Sequence, residues 1–157
     1  MTTPYTPQQN GIAERNNRSI VEAAKAMIHD QNLPMHLWVE ASKTAVFVQN
    51  KIPHKILRNL TPEEAFTCKK PDISKLRIFG CPLYFHVPHD KRSKLDPSGR
   101  KGTFVGDSET SKGYRIYISE RRKIEISRDV TFDEEVAFSI SKESHLVEDR
   151  ESQKLLQ

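Results

Sequence analysis

An α+β protein is expected from three features of the chain: helical periodicity confined to about the first 70 residues, short alternating apolar runs between about residues 76 and 135, and an acidic end poor in apolar residues. Helices should therefore come first and a small antiparallel β-barrel second. The tail, residues 138–157, carries too little apolar surface to order itself and is expected to be disordered or at most transiently helical.

The helical part divides into three elements. From Gly11 to about Gln31, a step of about 100° per residue gathers Ala13, Ile20, Ala23, Ala24, Met27 and Ile28 on one side and Glu14, Arg18 and Lys25 on the other. The first set should pack on a body, and the second should look outward. In "NLPMHLWVEASKTAVFVQNKIP", Asn32 and Pro34 supply a start signal, Leu37, Trp38, Ala41, Ala45 and Val48 recur at helical spacing, and Pro53 marks the end. In "LTPEEAF", Thr61 reads as an N-cap, with Pro62 at the first helical position and Glu64 completing a capping box. A helix of about two turns should follow.

After Pro71 the period changes. "LRIFGCPLYFHV" (76–87), "KGTFVGD" (101–107), "GYRIYIS" (113–119), "RKIEIS" (122–127) and "DVTFDEE" (129–135) are β-branched and aromatic runs separated by turn-forming stretches. Five such strands suit a small barrel, which removes exposed edges by wrapping, so that about 60 residues can form a module.

Composition narrows the class. The 157 residues are 36% hydrophobic with a mean hydropathy of −0.66, and they include neither a run of apolar residues long enough to span a bilayer nor an N-terminal signal segment. A soluble intracellular protein is expected. Cys68 and Cys81 form no paired short spacing, which points to free thiols in a reducing compartment. Cys81, His86 and His89 lack the spacing of a zinc site. Charge is uneven: Lys and Arg outnumber Asp and Glu nine to six in residues 1–70 and twelve to seven in 71–127, but are outnumbered eight to four in 128–157. A basic middle segment suits a polyanion.

Six segments, in order, carry a resemblance. "PYTPQQNGIAERNNRSI", "LWVEASKTAVFVQNKIP", "LTPEEAF", "KPDISKLRIFGCPLYFHVP", "KLDPSGRKGTFVGDSETSKGYRIY" and "SRDVTFDE", spanning about residues 2–136, resemble the integrase region of copia-type LTR retrotransposon Pol polyproteins. The resemblance implies that residues 1–70 are the C-terminal part of an RNase H-like catalytic core and residues 77–136 an SH3-like barrel. One departure is Asp107, where the family usually carries an aromatic after "FVG". It places the packing of that strand end in question.

The family activity is DNA strand transfer, in which Mg²⁺ ions held by carboxylates activate the attacking oxygen and stabilise the leaving one. Glu14 matches the third of three catalytic carboxylates, and the adjacent "TPQQNG" loop falls where the family approaches DNA. The thirteen residues before Glu14 contain no acid, so the two Asp of the family pattern have no counterpart in this sequence. Glu14 could equally form a surface pair with Arg18 at i,i+4. The chain alone is therefore expected to hold no Mg²⁺ and to retain at most nucleic-acid binding.

Gln8, Asn10, Arg18 and Lys25 near the first helix, with amides after Gly11, are candidate phosphate contacts. In the barrel, Lys91, Arg92, Lys94, Arg100, Lys101, Lys112 and Arg115 fall in or beside expected loops, where a basic barrel grips a backbone without reading sequence. Arg100, Lys101 and Lys112 are the leading candidates. Phe79, Tyr84, Phe104, Tyr114, Tyr117 and Phe132 read as core rather than stacking platforms. DNA is the expected partner, in the nucleus if the family role persists. The alternatives are an interaction module without catalysis and a non-functional fragment whose first helix lacks cover for Ile20, Ala24, Met27 and Ile28.

Overall fold

A computed structural model describes residues 7–88, 92–95, 97–108 and 110–154. Helix α1 runs Pro7–Asp30, a 3₁₀ turn at Met35–Leu37 leads into α2 (Trp38–Gln49), a second 3₁₀ turn covers Lys55–Leu57, and α3 spans Pro62–Thr67. The strands are β1 (Pro82–His86), β2 (Gly99–Asp107), β3 (Tyr114–Ile118), β4 (Lys123–Ser127) and β5 (Val130–Phe132), and α4 (Glu134–Lys154) closes the order. The α+β class and five antiparallel strands are as expected.

One helix boundary differs from expectation. α1 begins at Pro7, so the segment expected as a loop up to Gly11 is already helical from there, while residues 4–6 lie outside the described residues. Proline fits a first helical turn because its fixed φ is helical and its missing N–H is an orphan there anyway. Gly11 costs some helix stability without ending the helix. The α3 cap forms as read, with Thr61 Oγ1 accepting from Glu64 N at 3.0 Å and Pro62 at the first position.

The acidic tail takes the helical form, not the disordered one, as far as Lys154. Asp133 caps it by accepting from Val136 N at 3.4 Å, and Glu134 and Glu135 suit the positive end of the helix dipole. Ala137 is fully buried against the barrel. Ser141 Oγ donates to Asp30 Oδ1 at 2.5 Å, Ser144 Oγ to Asp30 O at 3.1 Å, and Gln31 Nε2 to Ala137 O at 3.2 Å. Tertiary contact with the end of α1 supplies what apolar content did not.

The sheet order is β4-β3-β2-β1-β5, antiparallel throughout. A flat sheet would hold β3 and β5 about 14 Å apart, three steps of about 4.8 Å. Instead Tyr114 on β3 and Phe132 on β5 stand with ring centroids 5.2 Å apart, and Phe104 on β2 meets both rings at 6.0 and 5.5 Å, all edge-to-face. The sheet curls, and these three rings plug the gap between its ends. Inside lie Cys81, Leu83, Phe85, Val87, Phe104, Ile116 and Ile118. Gly102 faces Ile116 so closely that a Cβ there would overlap its Cγ2.

Outward-facing Val105 and Tyr117 do not meet water. They join Ala24, Ile28, Leu37, Ala41 and Phe79 in a second core. Tyr117 hydroxyl lies 2.9 Å from His36 Nε2. The apolar side of α1, expected to pack on a body, is thus buried at Ala24 and Ile28 by α2 and the barrel, against the non-functional-fragment alternative in which it lacked cover. Gly80 permits the closest approach: at φ +83° it turns the chain against Gln31, where a Cβ would stand 2.7 Å from Gln31 Cβ.

Candidate functional site

Three places carry chemistry. The first is the outer arc of α1. Glu14, Arg18 and Lys25 are exposed and fall within about 40° of one another at 100° per residue, while buried Ala24 and Ile28 anchor the adjacent face of the helix. Arg15 turns back on its own helix, its Nε donating to Gly11 O at 3.1 Å. Gln8 and Asn10 fall in the first turns of α1, where the unpaired amides are, rather than in a loop before it. Glu14 does not by itself fit a Mg²⁺ ion. A hard dication wants several oxygen ligands, and among the described residues no three or more His, Cys, Asp or Glu converge. Arg15 and Arg18 on either side add repulsion.

The second place is the barrel's basic set. Arg100 and Lys101 lie within β2, in register with Phe85 and Tyr84, not in loops. Lys101 is exposed beside Tyr84, which at 50% exposure is a surface ring rather than the core residue expected. Lys112 is exposed in the β2–β3 turn and Lys94 in the β1–β2 connection, and Lys91 and His89 lie outside the described residues. Arg115 leaves the set: it lies in β3, and its Nε and Nη2 donate to the carboxylate of buried Glu40 at 3.0 and 2.7 Å. Its guanidinium joins barrel to helix.

The third place was not foreseen. Between α2 and the β2–β3 end of the barrel lies a crevice of about 160 Å³ lined by apolar Phe47, Val48, Leu76, Phe104 and Val105, by polar Lys43, Thr44, Arg77, Asp107 and Ser108, and by the Glu40–Arg115 ion pair. The only hint in the sequence was the i,i+4 pair Lys43 and Phe47 outside the buried Ala41 and Ala45 stripe of α2. β2 runs unbroken through Asp107, which pairs in register with Tyr114, so the unusual acid leaves the strand end intact. Partial burial at the crevice mouth raises the Asp107 carboxyl above its ordinary range, against the opposing pull of Lys51, Arg77 and Lys75.

The two cysteines are free; Cys68 is exposed, whereas Cys81 is buried and desolvation pushes its thiol up to about 11. Among the described residues, no helix is long and apolar enough to cross a membrane.

Residues 81–146 match the retroviral polymerase SH3-like domain, the stretch that contains all five strands and the first half of α4. The chain is 41% identical over 133 residues to the Retrovirus-related Pol polyprotein from transposon TNT 1-94 of Nicotiana tabacum, covering 85% of this chain and 10% of that protein. It is 34% identical over 131 residues to the corresponding polyprotein from transposon RE1 of Arabidopsis thaliana (83% and 9%). Against the Transposon Ty1-LR3 Gag-Pol polyprotein of Saccharomyces cerevisiae it is 30% identical over 122 residues (78% and 7%). The chain thus spans about a tenth of the length of the curated relatives it matches. No solved structure matches it. With the five-stranded curled sheet found where the SH3-like domain matches, the chain belongs with a region of Copia/Ty1-type retrotransposon Pol polyproteins that contains this domain.

Proposed function

We propose that the chain is the integrase part of such a polyprotein and serves DNA integration by binding DNA and presenting Glu14. The observation that carries this reading is the outer arc of α1, where Glu14, Arg18 and Lys25 stand together on a helix held in place along its adjacent face by buried Ala24 and Ile28. A carboxylate on a rigid helix flanked by phosphate-binding cations suits phosphodiester chemistry. Two more carboxylates are required to complete a Mg²⁺ site, and this chain's described residues do not supply them. Arg100, Lys101 and Lys112 add a sequence-independent grip on the DNA backbone.

The decisive experiment joins this sequence to the preceding integrase sequence of a relative and measures Mg²⁺-dependent strand transfer. Glu14→Gln should abolish transfer while leaving DNA binding in place; transfer unaffected by the substitution removes Glu14 from the reaction. For the isolated chain, affinity for duplex DNA should fall steeply with salt and fall further when Arg100, Lys101 and Lys112 are reversed in charge. Affinity indifferent to salt refutes DNA binding through these residues.

One observation favours a second reading, an interaction module without catalysis. Met35, Val39 and Val46 form an exposed apolar stripe along the start and outer side of α2. Such a stripe is a protein-docking surface in many folds. Capture of a protein partner lost in Val39→Asp, in a chain with no DNA affinity, would select it.

A further inference from the structure

The crevice between α2 and the barrel belongs to neither DNA-facing set above, and its make-up is specific. Its inner wall is apolar, from Val48, Leu76, Phe104 and Val105. At its mouth Lys43 and Phe47 stand one turn apart on α2, and Phe47 is 41% exposed with Lys51 Nζ 4.7 Å from its ring centroid. Arg77 and Asp107 face them from the barrel side. The volume, about 160 Å³, is close to the ~150 Å³ of an apolar cavity known to hold one benzene ring.

We infer that this crevice receives one unpaired nucleobase of a single-stranded DNA segment, stacked on Phe47, with the flanking phosphates held by Lys43 and Arg77. The inference deepens the DNA-binding reading and rests on it. Charge favours an anionic ligand over a neutral peptide side chain as occupant. The rim cations suit phosphates on either side of an inserted group, and Lys43 makes no ion pair among the described residues. Arg77 Nε lies 3.6 Å from Glu134 Oε1, its Nη1 donates to Leu76 O at 3.3 Å and its guanidinium lies over the Phe132 ring, which leaves its other N–H donors for a phosphate. Asp107 makes no side-chain hydrogen bond or ion pair among the described residues and stays exposed at the mouth, where its carboxylate can accept from an N–H of the occupant. An aliphatic side chain offers none, whereas a base offers N–H groups along its edge and a π face for the phenyl ring.

The test uses the full chain, a fluorescein-labelled single strand and a blunt duplex of the same sequence, in fluorescence anisotropy at fixed salt. Phe47→Ala should weaken single-strand binding roughly tenfold, the effect of losing one stacked base, and leave duplex binding unchanged; Phe47→Tyr should retain both. Circular dichroism and the urea midpoint check that the variant folds, and Lys43→Ala, on an exposed rim position, provides a second variant that should also weaken the single strand more than the duplex. Equal loss on both DNA forms, or no loss, overturns the inference while the DNA-binding reading stands. Phe47-dependent binding of an acidic leucine-containing peptide, with no single-strand binding, overturns it in favour of a protein ligand. Failure of the unaltered chain to bind either DNA overturns both.

Discussion

Arg115 on the barrel and Glu40 on α2 form a two-pronged ion pair, with Nη2 to Oε1 at 2.7 Å and Nε to Oε2 at 3.0 Å. Glu40 is 9% exposed, and both oxygens of its carboxylate accept from this one partner. Arg115→Ala should destabilise the chain by about 1–3 kcal/mol, because the carboxylate is left desolvated and unpaired. Arg115→Lys should recover only part of this, since one ammonium cannot make both parallel bonds. Urea denaturation of both variants, with a Glu40→Gln/Arg115→Ala double-mutant cycle, measures the coupling. A coupling near zero would show that the pair does not join helix to barrel.

The inside of the barrel has no room above Gly102. A methyl group there overlaps Cγ2 of Ile116, a fully buried side chain facing Phe85 and Phe104. Gly102→Ala should therefore cost about 1–3 kcal/mol through forced displacement of the core. Pairing it with Ile116→Leu, which lacks the Cγ2 branch, should recover part of the loss, seen as a rise in the urea midpoint over Gly102→Ala alone.

Only one of the two thiols should react in the native state. Cys68 is exposed, whereas Cys81 is fully buried and its thiol, pushed up to about 11 by desolvation, stays protonated at neutral pH. A thiol reagent at about pH 8 should label Cys68 rapidly and Cys81 only after denaturation, as peptide mapping by mass spectrometry would read. Fast labelling of both would mean that the barrel opens readily.

Asp107 makes stability depend on acidity in a direction opposite to that of most carboxylates. Its folded pKa lies above the ordinary 3.8, so the native state binds the proton more tightly than the unfolded chain does. The native state thus gains stability as pH falls from above the raised value toward 3.8, and the charged form is a small liability above that window. Asp107→Asn should raise the urea midpoint slightly near neutrality, and the gain should disappear in acid. A midpoint lowered at neutral pH would mean that the charge is compensated in the folded chain.

Much of this architecture was legible in sequence because local rules governed it. The five alternating runs became five strands, Thr61 capped α3, and Ala24 and Ile28 went inside. What escaped depended on partners far along the chain. Arg115 read as a free cation until Glu40, 75 residues earlier, claimed it. Trp38 shared the spacing of the buried stripe but stands 58% exposed at the first turn of α2. The tail gained its helix from Asp30 and Gln31, over a hundred residues upstream. For the candidate site, Glu14, Arg18 and Lys25 were correctly placed on one outer arc by period alone, whereas the crevice at Lys43, Phe47, Arg77 and Asp107 exists only once helix and barrel are docked.

The match to the SH3-like domain begins at residue 81, although the likeness to the relatives runs over 122–133 residues, and Val105 and Tyr117 within the domain are buried by Ala24, Ile28, Leu37, Ala41 and Phe79 before it. Recombination at the exposed segment around residues 68–75 would look harmless by surface exposure. It would nevertheless graft a barrel onto helices shaped for another, and only donors carrying equally small residues at positions 24 and 41 would seat it. The matched domain and the packed unit that seats it are thus of different lengths.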